Sequence, residues 1–151
     1  MASIRKARLE DLPRILELAI ESVTKNPLPV KIDQMAMIEM GRVMLNPAHF
    51  LWVAEDEAGK VVACFGAMTQ KSFWYRGLQC SVLVYYTRVP GAGAMLIREF
   101  ARWVKSRSGI KVAVLELEPT TDLRLIRFLR RLGFERKSIN MSYVRASAQG
   151  V

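Results

Sequence analysis

The chain has 151 residues, of which 51% are hydrophobic, and it carries a formal net charge of +9. This length suits one domain with a sizeable core, so we expect a single domain over residues 1–151, and the apolar content argues against a disordered chain. No apolar stretch approaches the roughly 20 residues of a membrane span, and the N-terminus lacks a secretory apolar region. We therefore expect a cytoplasmic protein without a membrane partner. His49 is the only histidine and there are two cysteines, so neither a metal site nor a disulfide framework is expected.

The basic charge is concentrated in the C-terminal part. From Arg88 onward there are 13 Lys or Arg and 5 Asp or Glu, whereas the first 87 residues hold 10 and 9. Such a field attracts a polyanion such as a nucleotide cofactor, and a solvated basic surface is the alternative.

In chain order, the first half predicts a strand over residues 3–7, two helices and a three-stranded meander. The first helix opens at Glu10 and Asp11 with Pro13 in its first turn, and the second, methionine-rich helix covers about residues 32–45. Strands follow over "FLWVAED", "VVACFGAMTQ" and "QCSVLVYYT", and their short connections predict antiparallel pairing.

The second half predicts a helix from near Gly93 to about Ser106, a strand over 110–118 and a helix that ends at Gly133. Thr121 or Asp122 is the expected N-cap of that last helix, and "FERKSINMSYVR" predicts a final strand or hairpin. The strand–helix–strand crossover predicts one parallel pair. The order β-α-α-β-β-β-α-β-α-β thus indicates an α/β (α+β) fold.

The strongest local signal is "RVPGAG", residues 88–93, between a strand and a helix. Glycines at such a turn let the backbone approach an anion, and the helix start favours a phosphate group. No Gly-Lys-Ser/Thr follows, so it is not a Walker A loop. An ordinary glycine turn is the alternative.

This pattern, Arg/Gln-x-x-Gly-x-Gly/Ala after the fourth strand, resembles the pyrophosphate loop of the GNAT N-acyltransferase superfamily. "IRKARLEDLPRILEL", "LWVAEDEAGKVVACFGA" and "FLRRLGF" are similar to other segments of that family. The resemblance implies the GNAT fold, with a mixed and mostly antiparallel central sheet flanked by helices. It also implies an enzyme that uses acetyl-CoA as its acyl donor.

The resemblance also assigns residues to the donor site. The segment expected to hold the pyrophosphate comprises Arg88, Val89, Pro90, Gly91, Ala92, Gly93 and Ala94. The strand segment expected to pair with the pantetheine arm comprises Leu83, Val84 and Tyr85, and one amide there would polarise the thioester carbonyl. Asp122 stands where many members have an Asn that touches the pantetheine.

One position departs from the family pattern. Many members carry a Tyr four residues before the Gly of "GF", proposed to protonate the leaving thiolate, and here that residue is Leu129. A general acid would then be Tyr85, Tyr86 or Tyr143, or water.

Glu116 is the candidate general base, because some protein-acetylating members have a Glu in a similar "LE" segment. Glu116 and Glu118 are two apart at the end of a predicted strand, which places them on one face. A solvated pair at a strand end is the alternative.

Three functions remain open from the sequence. The first is transfer of acetyl from acetyl-CoA to a primary amine, of a small molecule or a protein, by direct attack in a ternary complex. The second, motivated by Leu129, is a catalytically weak or inactive GNAT module that binds CoA or a protein partner. The third, motivated by the basic charge, is nucleic-acid binding, but a zinc pattern and a convincing helix-turn-helix are missing. A homodimer is compatible with each of them.

Overall fold

A computed structural model describes residues 2–25 and 30–145, which fall into two compact units. Within those ranges, the first unit comprises residues 2–25 and 33–115, and the second comprises residues 30–32 and 116–145. The elements of the first unit are β1 (Ser3–Lys6), a 3-10 turn (Leu9–Asp11), α1 (Leu12–Lys25), α2 (Gln34–Met44), β2 (Phe50–Glu55), β3 (Val61–Lys71), β4 (Leu78–Thr87), α3 (Pro90–Ser106) and β5 (Ile110–Val114). The second unit contains α4 (Leu123–Arg131).

The first unit is built on a five-stranded sheet in the order β1-β2-β3-β4-β5. β1 to β4 pair antiparallel in succession, and β5 pairs parallel to β4. The predicted meander and the predicted parallel crossover through α3 are both confirmed, as is the mixed, mostly antiparallel fold.

The sheet carries an apolar core on each face. On one face Leu18 of α1 and Met44 of α2 pack with Val53, Cys64 and Tyr86 of the strands, and all five side chains are buried. The other face is aromatic and meets α3. It contains the rings of Phe50, Phe65, Phe100 and Trp103, with neighbouring centroids 4.7–6.3 Å apart.

Two boundaries of the sequence-based prediction move by three residues or more. α3 begins at Pro90, three residues before the predicted start, because Val89 is the extended N-cap and proline suits the first helical position. β5 ends at Val114 instead of residue 118, since its pairing with β4 stops where Ser81 meets Val114.

In the second unit the predicted start and end of the last helix are confirmed. Asp122 caps α4, its carboxylate accepting the Arg124 amide at 2.8 Å, and Gly133 follows the helix with φ +102°. The predicted final strand or hairpin is wrong: residues 134–145 contain no strand, although their pattern alternates. Across the described ranges, no helix is both long and apolar enough to cross a bilayer.

Candidate functional site

The first feature of the site is an opening between β4 and β5. The two parallel strands pair only from Leu78 to Ser81 on β4, which then continues to Thr87. Among the described residues, the 82–87 part of β4 therefore has no strand partner on its β5 side. Alternate backbone groups along that edge are left available to a ligand that runs beside the strand.

A β-bulge lies where the two strands separate. Val82 pairs with Ala67 and Val84 pairs with Gly66, so Leu83 is an extra residue without a partner on β3. Such a residue stands outside the regular ladder, which redirects its amide. Leu83 is half-exposed. On β3 opposite the bulge, a Cβ on Gly66 would lie 2.8 Å from Val84 Cγ1, so the glycine allows the strands to pack closely there.

Beyond β4, the predicted glycine loop is mostly the first turn of α3. The Arg88 amide donates to the Val62 carbonyl at 3.0 Å, and the Ala92 and Gly93 amides both donate to the Val89 carbonyl, at 3.1 and 3.3 Å. Pro90 has no N–H. This leaves the Gly91 amide without a hydrogen-bond partner within the described part of the chain, at the positive end of a 17-residue helix.

The two glycines of this turn serve different purposes. A Cβ on Gly93 would collide with the Tyr85 hydroxyl and would lie 2.7 Å from Thr87 Cγ2, so Gly93 allows α3 to pack on the end of β4. A Cβ on Gly91 would meet no atom within 4 Å. Gly91 therefore borders open space beside its own unpaired amide, which is the arrangement that an anion needs.

The charged partner of this turn comes from α1. The Arg88 Nε donates to Glu21 Oε2 at 2.9 Å across 67 residues of sequence, and this bond lowers the pKa of the Glu21 carboxyl and raises that of Arg88. The sequence reasoning missed Glu21, because nothing in a helical pattern reveals which exposed carboxylate meets a distant arginine. Glu21 fixes the side chain that begins the 88–94 segment.

Comparison with known proteins now decides the family. A model of the acetyltransferase (GNAT) family matches residues 9–134. The chain belongs to the GNAT family. It is an acyltransferase of that family, whose enzymes use acetyl-CoA. No curated protein sequence matches it significantly.

Similar solved structures share the GNAT fold at low identity. A predicted acetyltransferase from Clostridium acetobutylicum with acetyl-CoA has a TM-score of 0.75 and 16% identity, covering 95% of this chain and 96% of that one. Glucosamine-6-phosphate N-acetyltransferase from Arabidopsis thaliana has a TM-score of 0.70 and 20% identity, covering 95% of this chain and 98% of that one. An aminoglycoside acetyltransferase from an uncultured soil metagenomic sample, in complex with sisomicin, has a TM-score of 0.67 and 18% identity, covering 95% of this chain and 96% of that one.

Within this GNAT chain, the residues of the first unit that the sequence predicts for the donor site lie together on one strand–turn–helix. Tyr85 is half-buried, and burial raises the pKa of its phenol, which is therefore neutral near pH 7. Its hydroxyl lies beside Gly93. Tyr86 is buried and lies on the opposite face of the sheet, in the core with Leu18 and Met44. Of these two tyrosines, Tyr85 is the one whose hydroxyl approaches the turn.

The other predicted residues belong to the second unit. Glu116 and Glu118 are exposed and lie after the end of β5, so the expectation that they share a face of that strand is wrong. The Thr121 amide and hydroxyl both donate to the Glu118 carbonyl, which forms a turn instead. Asp122 serves as the cap of α4, and hydrogen bonds from Arg124 lower the pKa of its carboxyl.

Leu129, His49 and Tyr143 have clear local environments. Leu129 is 5% exposed, which identifies it as a buried helix residue of the second unit, and Tyr143 is 82% exposed. His49 Nδ1 accepts the Thr69 amide at 3.0 Å, so this histidine joins the loop before β2 to β3.

Proposed function

We propose that this GNAT protein is an N-acetyltransferase that moves the acetyl group of acetyl-CoA to a primary amine by direct attack in a ternary complex. The observation that carries the proposal is the continuous path from the Leu83 bulge, along the free edge of β4, to the open Gly91 amide. One end of this path suits a thioester carbonyl and the other end suits a phosphate.

The chain's own groups would divide the work as follows. The turn over residues 88–94 would bind the pyrophosphate through the Gly91 amide and the start of α3. The strand segment 83–85 would hold the pantetheine arm by backbone hydrogen bonds, and the Leu83 amide would stabilise negative charge on the carbonyl oxygen. Asp122 would contribute to pantetheine binding from the cap of α4.

Acetyl-CoA supplies an acetyl group activated as a thioester. The acceptor nitrogen forms the new C–N bond as the C–S bond breaks, so one proton must leave the amine and the thiolate must be neutralised or released. We assign the amine proton to Glu116, and the neutral Tyr85 phenol is the candidate donor to sulfur.

Membership of the GNAT family supports an amine as the acceptor and does not specify which amine. Similar structures are named for glucosamine 6-phosphate and for aminoglycosides, so both belong in the test, together with a polyamine and a lysine-containing peptide. Release of CoA thiol over this panel would identify the acceptor. Binding of CoA with no turnover on any amine would favour instead a non-catalytic module, the alternative motivated by leucine at position 129 in place of the family's tyrosine.

The variant Glu116→Gln tests the assigned base, with Glu118→Gln as its matched control two residues away. We expect Glu116→Gln to lower kcat by about 10²–10⁴-fold while the CoA dissociation constant stays within about twofold, because a base acts on the amine and not on the donor. Glu118→Gln should leave both quantities unchanged. Equal kcat values for the two variants and the parent would remove Glu116 from the mechanism.

A further inference from the structure

The tip of the β3–β4 hairpin exposes two large aromatic side chains. Phe73 is 88% exposed and Trp74 is 85% exposed, and their rings contact each other edge to face with centroids 5.0 Å apart. The tip is ordered by hydrogen bonds, since the Ser72 amide donates to the Gly77 carbonyl and the Trp74 amide donates to Ser72 Oγ, both at 3.1 Å. A closed turn therefore presents this pair outward.

Basic residues surround the tip. Lys71 and Arg76 flank the aromatic pair in the hairpin and are exposed. Lys111 at the start of β5 lies against the base of the hairpin, because a Cβ on Gly77 would be 2.8 Å from Lys111 Cγ. The Leu78 amide donates to the Gly109 carbonyl at 2.8 Å, which joins the turn after α3 to the same end of the first unit.

This end of the first unit has no compensating negative charge in its own segments. Glu99 is the only acidic residue between Glu57 and Glu116, so the whole hairpin and the α3–β5 turn lack Asp and Glu. Lys105 in the last turn of α3 and Arg107 directly after the helix add two further positive charges. An apolar tip surrounded by basic residues is complementary to a surface that has an anionic outer layer and an apolar interior.

We propose that the β3–β4 hairpin tip inserts Phe73 and Trp74 into the interface of an anionic phospholipid bilayer, with Lys71, Arg76 and Lys111 contacting the headgroup phosphates. Aromatic rings of this type concentrate at the membrane–water interface, and basic side chains nearby add attraction to anionic lipid. The earlier expectation of no membrane partner rested on the lack of a spanning segment, which interfacial binding does not require.

The geometry of the two rings favours a bilayer over a nucleic acid, which the basic charge would also attract. A single-stranded nucleic acid binds where successive bases stack on flat aromatic faces along a basic groove. Here the two rings stand at 83° to each other on a projecting turn, so each ring occupies the space above the face or edge of the other. A wedge of this shape penetrates a soft interface better than it stacks bases.

Sedimentation of the full chain with unilamellar vesicles tests the proposal. We expect binding to vesicles of phosphatidylcholine with 30% phosphatidylserine, weaker binding at high salt, and little binding to pure phosphatidylcholine. Replacing both aromatic residues, Phe73→Ser with Trp74→Ser, should weaken binding by roughly tenfold or more. Lys71→Gln should weaken it about fivefold.

The matched control is Lys60→Gln, since both lysines are exposed, Lys60 directly precedes β3 and Lys71 is its last residue, roughly 35 Å away. It should bind vesicles as the parent does, and circular dichroism should show all variants folded. Absence of vesicle binding by the parent would overturn the proposal. So would tighter binding to a single-stranded oligonucleotide than to anionic vesicles, or loss of self-association as the sole effect of the aromatic replacements.

Discussion

Replacement of Gly91 by Asp separates cofactor binding from folding. Gly91 is the second residue of α3, and a Cβ there meets no atom within 4 Å, so the site has room for the new side chain. A carboxylate in the first turn of a helix stabilises the folded state by about 0.3–1 kcal/mol. Replacing a glycine also stabilises it by a similar free energy, because the unfolded chain then has less conformational entropy. We therefore expect the melting temperature to stay constant or rise by a few degrees.

The same carboxylate should repel a phosphate group bound at the Gly91 amide. Two unit charges about 5 Å apart interact with roughly 0.8 kcal/mol at the dielectric constant of water and roughly 3.3 kcal/mol at an effective value of 20. These limits correspond to about fourfold and about 300-fold weaker binding of CoA. Because the site is at the surface, salt should reduce the difference.

Calorimetric titration of CoA into three variants measures this effect. Gly91→Asn has the shape of the aspartate without its charge, and Gly91→Ala reports the effect of a Cβ alone. The ratio of dissociation constants for the Asp and Asn variants isolates the charge, and it should fall as salt rises. An equal dissociation constant for Asp, Asn and parent at low salt would show that no phosphate binds at the start of α3.

Further expectations concern Gly93 and the two buried thiols. Gly93→Ala should destabilise the protein by about 1–3 kcal/mol by overpacking against Tyr85 and Thr87, and Tyr85→Phe should recover part of that loss; purely additive unfolding free energies would exclude this contact. Burial raises the pKa of Cys64 to about 12 and that of Cys80 to about 11, so neither thiol should react with a disulfide reagent at pH 8 in the folded protein. Because the folded state keeps these protons while the unfolded state loses them above about pH 8.5, stability should fall as pH rises past that value, and less steeply in Cys64→Ala; rapid labelling of native protein would contradict this.

Much of the fold could be predicted from the sequence, because its signals are local. The alternation in "VVACFGAMTQ" and "QCSVLVYYT" marks β3 and β4, and the short connections require them to pair antiparallel. Asp122 and Gly133 mark the ends of α4 through cap chemistry that involves only neighbouring residues. The predicted strand or hairpin over residues 134–145 is wrong, because an alternating pattern does not make a strand unless another strand pairs with it.

The sequence by itself also determined that a strand, a glycine turn and a helix follow one another directly over β4 and residues 88–94, which is where it predicts the donor site. The tertiary structure alone decided the rest. It made Leu83 a bulge, because bulges depend on the register with β3, and it gave Gly91 and Gly93 different roles, because only packing shows which Cβ meets an atom. It joined Glu21 to Arg88, and it brought Lys111 against Gly77 at the base of the β3–β4 hairpin. These contacts link residues that are far apart in the chain, and their distances are set by how helices and strands pack rather than by any local pattern.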